Sequence, residues 1–288
     1  GTAVLMAFSG GLDSCFTAWR QTRGECGRAR RQVRAAVMVH GFDIPLTQPE
    51  VFTRAAENSR RLLESIGLAL IPVTCNFRQL GGDWEDAHGA ALASCLHLLG
   101  GGYSAGLVAG SHAYEGLRFP WGSNPLTDPM LSSGTFQLVY DAAGFSRPEK
   151  ARGVSGWPEA MQRLRVCWEG PQKDRNCGRC LRCVGTALCF AAIGIEPPDV
   201  LNVGPLGRAV SGLAYQPIKP ASLLRLGELL DLARASDIDA PWMRALERLL
   251  RLGRRRARLA RVLPPVRVPW QYYRLSKVLR RLAIPVQP

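Results

Sequence analysis

The chain has 288 residues, 47% of them hydrophobic, and a formal net charge of +14. That length suits one large domain or one domain with an appendage. No apolar run approaches the ~20 residues that a membrane span needs, so no membrane partner is expected, and no cationic, apolar leader stands at the front of the sequence. Nine cysteines, four of them crowded together, make a poor disulfide framework and point to a reducing, cytoplasmic setting with a metal site. Charge is unevenly placed. From Arg244 onward thirteen Arg and Lys stand against one acid, Glu247, a local balance of +12 that leaves +2 for the preceding 243 residues.

The first predicted strand covers 3–8, and a helix over 15–21 follows two glycines directly. A basic loop carrying Arg23, Arg28, Arg30 and Arg31 leads into a second strand at 33–39, which ends at His40-Gly41-Phe42-Asp43. Residues 49–66 repeat apolar positions with helical spacing. A third strand is expected at 69–76, a helix at 84–99 and a fourth strand at 106–110. This alternation predicts an α/β fold with an open parallel sheet. A long segment rich in Gly, Pro, Ser and Asn follows at 111–135, and a loop of that length at a strand end usually carries function. A helix is expected at 146–163 and a short one in TALCFAAIG. Residues 199–220 read as irregular, with three helices near 221–236, 240–261 and 270–282. The predicted organisation is a domain over 1–198 and a basic helical appendage over 199–288.

The stretch FSGGLDS at 8–14 joins the first strand to the first helix. Such a junction presents backbone N–H groups and a helix N-terminus to an anion. Ser9 and Ser14 add hydroxyls, and Gly10 and Gly11 let the backbone approach closely. Asp13 would repel a bare phosphate, but a magnesium ion between them reconciles the two. The alternative is a plain Ser/Gly turn. The Walker signature is absent, because no Gly-Lys-Ser/Thr follows.

Cys167, Cys177, Cys180 and Cys183 form C-x9-C-x2-C-x2-C. Four thiolates at this spacing predict a closed, structural zinc site, with an iron–sulfur cluster or unligated thiols as the other readings. Cys189 lies on an apolar helix face and reads as core. His40 and Asp43 follow the second strand, where an open sheet places its crevice. Backbone near Val39 could read an adenine there, and Asp43 could hold a ribose hydroxyl or a metal; a structural His40 is the other reading. Asp83, Glu85, Asp86 and His88 read mainly as a helix start. In the long loop, His112, Tyr114, Trp121, Asn124 and Asp128 are substrate candidates. Their aromatics could stack on a planar base and their polar groups could read its edge, or the aromatics could simply anchor the loop. RLLRLGRRRARLARVL reads as an amphipathic helix docking by one face, and its arginines suit nucleic acid, an acidic protein or solvent.

SGGLDS resembles the SGGxDS signature of the PP-loop ATP pyrophosphatases. The resemblance implies a sheet of the adenine nucleotide alpha-hydrolase-like type, ATP and Mg²⁺ as ligands, and cleavage of ATP to AMP and pyrophosphate while a substrate oxygen is adenylated. A PP-loop domain followed by a four-cysteine Zn²⁺ site is similar to the 7-cyano-7-deazaguanine synthase family, which converts a carboxy-deazaguanine to an amide and then a nitrile with ammonia and ATP. FSRPEK at 145–150 resembles the helix start that precedes the first cysteine there. The resemblance implies nucleotide contacts from Ser9, Gly10, Gly11, Asp13, Ser14, His40, Arg147 and Lys150, with Asp13 and Lys150 as catalytic candidates. It spans about residues 3–192. The family's tyrosine-proline-aspartate-cysteine-arginine stretch after the fourth strand is replaced here by GSHAYEGLRFPWGSNPLTDPML. The function implied is C–N bond formation on a small carboxylate such as a deazapurine, in a homo-oligomer. The alternatives are a tRNA-modifying sulfurtransferase, for which Cys15 and Cys75 are candidate sulfur carriers, and action on or with a partner protein.

Overall fold

The computed structural model describes residues 3–118 and 121–262. In chain order the elements are β1 (Ala3–Ala7), α1 (Leu12–Arg23), β2 (Gln32–His40), α2 (Pro49–Glu64), β3 (Ala69–Thr74), α3 (Trp84–His97), β4 (Ala105–Ala109) and β5 (Gln137–Asp141). They continue with α4 (Arg147–Ser155), α5 (Pro158–Arg163), α6 (Leu181–Ala191), α7 (Leu206–Gly212), α8 (Pro220–Ala235) and α9 (Pro241–Val262). All five strands are parallel, in the order β3-β2-β1-β4-β5. The fold is therefore α/β with an open parallel sheet, as expected. Pro72 sits in β3, an edge strand, where a missing N–H costs no central ladder bond.

Alternation along β1 assigns the two faces. Val4 and Met6, with Phe8 just beyond the strand, pack into one core with residues of α1, α4, α5 and α6; Leu5 and Ala7 face the other way, onto Ala93 and Leu96 of α3. The chain builds β1, β2 and β3 outward in one direction, then returns across β1 to β4 and β5. The strand order thus reverses between β1 and β4. In open sheets, ligands bind outside the carboxyl ends of the strands at such a point.

Three expectations change. β5 adds a fifth strand, QLVYD, directly after the long Gly/Pro/Ser-rich loop. The helix expected over 146–163 is two, because the residue before a proline is pushed out of the helical region: Trp157 is extended, with φ −115° and ψ 96°, ahead of Pro158. The stretch 199–220 contains the helix α7. The helix expected near 270–282 lies outside the described residues.

α9 docks by one face, as its periodicity predicts. Trp242, Ala245, Leu246, Leu249 and Leu250 are buried and join the same core as β1, while Arg251, Arg254, Arg255 and Arg256 are exposed. Among the described residues no helix is long and apolar enough to cross a membrane.

Candidate functional site

The turn after β1 is built from its own side chains. Ser14 Oγ donates to the Gly11 carbonyl at 3.1 Å and accepts from Ser9 N at 3.3 Å; Gly11 N donates to Ser9 Oγ at 3.3 Å. Gly10 has φ +75°, a left-handed conformation that glycine adopts without strain. Gly11 is the N-cap of α1 and supplies no side-chain cap. The first-turn N–H groups of α1 therefore meet no capping oxygen from the cap residue, and they lie at the strand-order reversal.

Asp13, in that first turn, draws two cations from α4. Arg147 Nη1 donates to Oδ2 and Lys150 Nζ to Oδ1, both at 3.2 Å. Lys150 is fully buried and also donates a short hydrogen bond to the Gly110 carbonyl at the end of β4. Burial alone would raise the Asp13 pKa, but Arg147 and Lys150 outweigh it and hold the carboxyl below its usual value. α4 is aimed by a capping box: Ser146 Oγ accepts from Glu149 N, and the Glu149 carboxylate accepts from Ser146 N. Sequence reasoning had placed Ser9, Gly10, Gly11, Asp13, Ser14, Arg147 and Lys150 in one site, and they do converge.

Arg165 closes the turn from the other side, and nothing in the sequence marks it out. Its backbone N donates to the Gly10 carbonyl at 2.8 Å, and its Nη2 donates to the Ser9 carbonyl at 3.0 Å and to Asp43 Oδ2 at 3.4 Å. Asp43 is thus paired at the same mouth. His40 faces elsewhere. It is buried, its Nε2 donates to the Pro45 carbonyl at 3.0 Å, and its ring stacks on Phe52 at 4.5 Å. That geometry fastens the 41–45 turn.

The long loop after β4 divides its candidates. His112 lies near enough to Asp13, Arg147 and Lys150 to feel their charges, and Arg225 of α8 donates to its Nε2 at 3.3 Å. Trp121 packs edge-on against His112 and His88, with its indole N–H on Ser111 Oγ at 3.1 Å. Asn124 and Asp128 spend their oxygens on the loop itself. Asn124 Oδ1 accepts from Leu126 N and Thr127 N, both at 3.0 Å, while Asp128 accepts from Ser123 Oγ at 2.6 Å and Asn124 N at 3.1 Å. Tyr114 is 61% exposed. Asp83 caps α3 through Glu85 N at 2.8 Å, which matches the helix-start reading.

Burial pushes the His112 imidazole down to about 4, and the Arg225 guanidinium adds to the shift. The folded chain thus holds His112 neutral at a pH where the unfolded chain, titrating at ~6.5, takes up a proton. This group's contribution leaves stability intact above pH ~6.5 and lowers it as pH falls from there toward about 4. Replacing His112 with Gln is expected to flatten that limb by up to one proton in denaturant titrations between pH 7 and pH 4.5. An unchanged slope would refute the assignment.

The four clustered cysteines meet. Their sulfurs all lie within 4.8 Å of one another, with Cys167–Cys180 at 3.6 Å, Cys180–Cys183 at 3.5 Å and Cys177–Cys183 at 3.9 Å. Sulfurs set tetrahedrally about 2.3 Å from a zinc ion stand roughly 3.8 Å apart, so the set fits such a metal. Gly178 turns the knuckle with φ +74°; a Cβ there would stand 1.8 Å from the Asn202 carbonyl oxygen. Asn176 braces it, accepting from Val166 N at 2.9 Å and donating to the carbonyls of Leu164 and Val200 at 2.7 and 2.8 Å. The knuckle therefore anchors the segment that carries Arg165. Cys189 is buried beside Arg147, as a core position should be.

Comparison with protein-family models, with curated proteins and with solved structures finds no match.

The site thus joins a glycine turn, one carboxylate held by two cations, and a second carboxylate held by Arg165. This cation excess and the helix N-terminus suit a polyanion. Each oxygen of Asp13 retains a second lone pair, so the carboxylate also suits one position of a hydrated magnesium ion. Arg165, Arg182 and Arg225 were not singled out by the sequence. Arg165 reaches the turn itself, Arg225 reaches His112, and Arg182 stacks on Trp168, so separation in sequence hid all three.

Proposed function

We propose that the chain is an ATP-dependent enzyme of the PP-loop type, adenylating a carboxylate or carbonyl oxygen of a small acid and releasing pyrophosphate, so that a nitrogen nucleophile can displace AMP. What carries this reading is the convergence of Asp13, Arg147 and Lys150 on the Ser9–Ser14 turn at the point where strand order reverses. In this reading Arg147 and Lys150 meet phosphate charge, Arg165 holds the turn's carbonyls away from it, and the α1 N-terminus receives an oxygen. Bound magnesium would neutralise charge on the departing pyrophosphate, with Asp13 as its protein ligand. The four cysteines leave a metal no open position, which suits a structural role.

The family resemblance proposes a carboxy-deazaguanine as the acid, although Asn124 and Asp128 are engaged within the loop and leave His112, Trp121 and Tyr114 as the groups to meet a base. The sulfur-transfer alternative has less support. Cys15 is fully buried and its thiol is pushed far up by burial, whereas a sulfur carrier needs an accessible thiolate. The exposed arginines of α9 support an acidic or polyanionic partner for that face.

The test is incubation with ATP, Mg²⁺, ammonium and 7-carboxy-7-deazaguanine, following AMP and every deazaguanine species by mass spectrometry. AMP with an amide or nitrile is the expected result. Pyrophosphate released with the AMP still joined to the acid as an adenylate would move the nucleophile to a macromolecule. Absence of both free AMP and adenylate with this acid and with other carboxylates would overturn the reading.

A further inference from the structure

Arg182 sits in the first turn of α6, between two cysteines of the knuckle. Its guanidinium carbon stands 3.1 Å from the ring centroid of Trp168, the residue that follows Cys167. The side chain is half-buried, yet among the described residues it makes no hydrogen bond and closes no ion pair. Every other cation at this mouth has an oxygen partner: Arg147 and Lys150 on Asp13, Arg165 on Asp43 and the Ser9 carbonyl.

Its position follows from helix geometry. Thr186 and Cys189 lie four and seven residues beyond Arg182, on the same face of α6. Arg147 Nη2 donates to Thr186 Oγ1 at 3.4 Å, and Cys189 sits against the same guanidinium. Arg182 is therefore one turn, about 5.4 Å, further along the face on which Arg147 lies, toward the knuckle. Arg147, Asp43 and Glu169 all act on it electrostatically, so it lies near one member each of the Arg165–Asp43 and Arg147–Asp13 pairs and near the Glu169 carboxylate. A cation held rigid on an indole beside a like charge, with no acceptor, is arranged for an anion that arrives from solution.

We propose that Arg182, stacked on Trp168, binds an oxyanion at the mouth of the glycine turn, supplied either by a nucleotide phosphate or by the carboxylate of the acid, and that the cysteine knuckle serves to position it. The assignment deepens the nucleotide reading and relies on it only for which anion is bound. A bidentate guanidinium suits either group, whereas an ammonium reaches it as a point charge.

The experiment compares the full chain with its Arg182→Gln, Arg182→Lys and Trp168→Leu variants, each checked for metal content and melting temperature. Calorimetry gives Kd for inorganic pyrophosphate, Mg-ATP and 7-carboxy-7-deazaguanine. Arg182→Gln is expected to weaken at least one of these about tenfold or more with metal content unchanged, with a smaller loss for Arg182→Lys and for Trp168→Leu. A loss on the two phosphate probes assigns the phosphate; a loss on the deazaguanine alone assigns the carboxylate. Affinities within twofold of the parent for all three probes, or no binding of any probe by the parent, would overturn the proposal. The two readings separate cleanly. Pyrophosphate binding that needs Arg182 in a chain forming no AMP would keep the anion site and remove the ATP chemistry. AMP formation unaffected by Arg182→Gln, with unchanged affinities, would do the reverse.

Discussion

Asp13→Ala is expected to reduce AMP formation by about 10²–10³-fold, the scale seen when one preorganised polar group is removed from a reacting centre. Two effects act together. The carboxylate that would meet magnesium is gone, and the two cations it holds lose their anchor. Lys150 is fully buried, and without Asp13 its remaining acceptor is the Gly110 carbonyl. A buried ammonium stripped of its counter-charge costs about 3–5 kcal/mol, so the variant is also expected to be less stable. Asp13→Asn separates the two. It keeps an acceptor oxygen for one cation, so it should recover part of the stability and little of the activity. Measured rates and denaturation midpoints for the pair check this. An Asp13→Asn enzyme of nearly full activity would show that the charge at this position is not used.

The second large effect concerns the knuckle. Stripping the metal with a chelator, or replacing Cys180 with Ser, is expected to lower stability by about 5 kcal/mol or more, since structural zinc sites contribute folding energy outright. For a chain of this size that is a fall in melting temperature of roughly 10–20 °C. The loss should reach the glycine turn, because the segment bearing the cysteines also carries Arg165, which holds the Ser9 and Gly10 carbonyls. Loss of metal is therefore expected to weaken Mg-ATP binding before the chain unfolds globally. Calorimetric scans and nucleotide titrations with measured metal content decide it. A metal-free chain that melts within ~2 °C of the parent would contradict a structural ion.

The parallel sheet and its helices were legible because their signals are local: apolar runs of strand length and 3.6-residue spacing. The turn at 8–14 and the cysteine spacing were legible for the same reason, each packed into a few consecutive residues. What the sequence hid is long-range. Arg165 acts through backbone carbonyls more than 150 residues away, Arg225 arrives from α8, and Arg182 reads as one more arginine in an arginine-rich chain. Conversely, the types and positions of Asn124, Asp128 and His40 fit a pocket as well as a turn. Only the geometry shows that Asn124 and Asp128 serve their own loop and that His40 ties down a neighbouring turn. β5 is an edge strand, paired with β4 alone, and its short run follows a long irregular loop that masks it in the sequence.

The same distinction separates the two halves of the charge. Arg251, Arg254, Arg255 and Arg256 of α9 are exposed on an amphipathic helix, whereas the arginines at the turn face carboxylates and carbonyls. Only the second group converges on the glycine turn.

The position at which ATP is cut tests the central assignment most directly. Phosphorus NMR of the full, metal-replete chain with Mg-ATP, ammonium and the acid distinguishes the two bonds in one spectrum. Pyrophosphate and AMP appearing together, and failing to appear with Asp13→Ala, is the predicted result. ADP with inorganic phosphate, or ATP left intact under every acid tried, would contradict it.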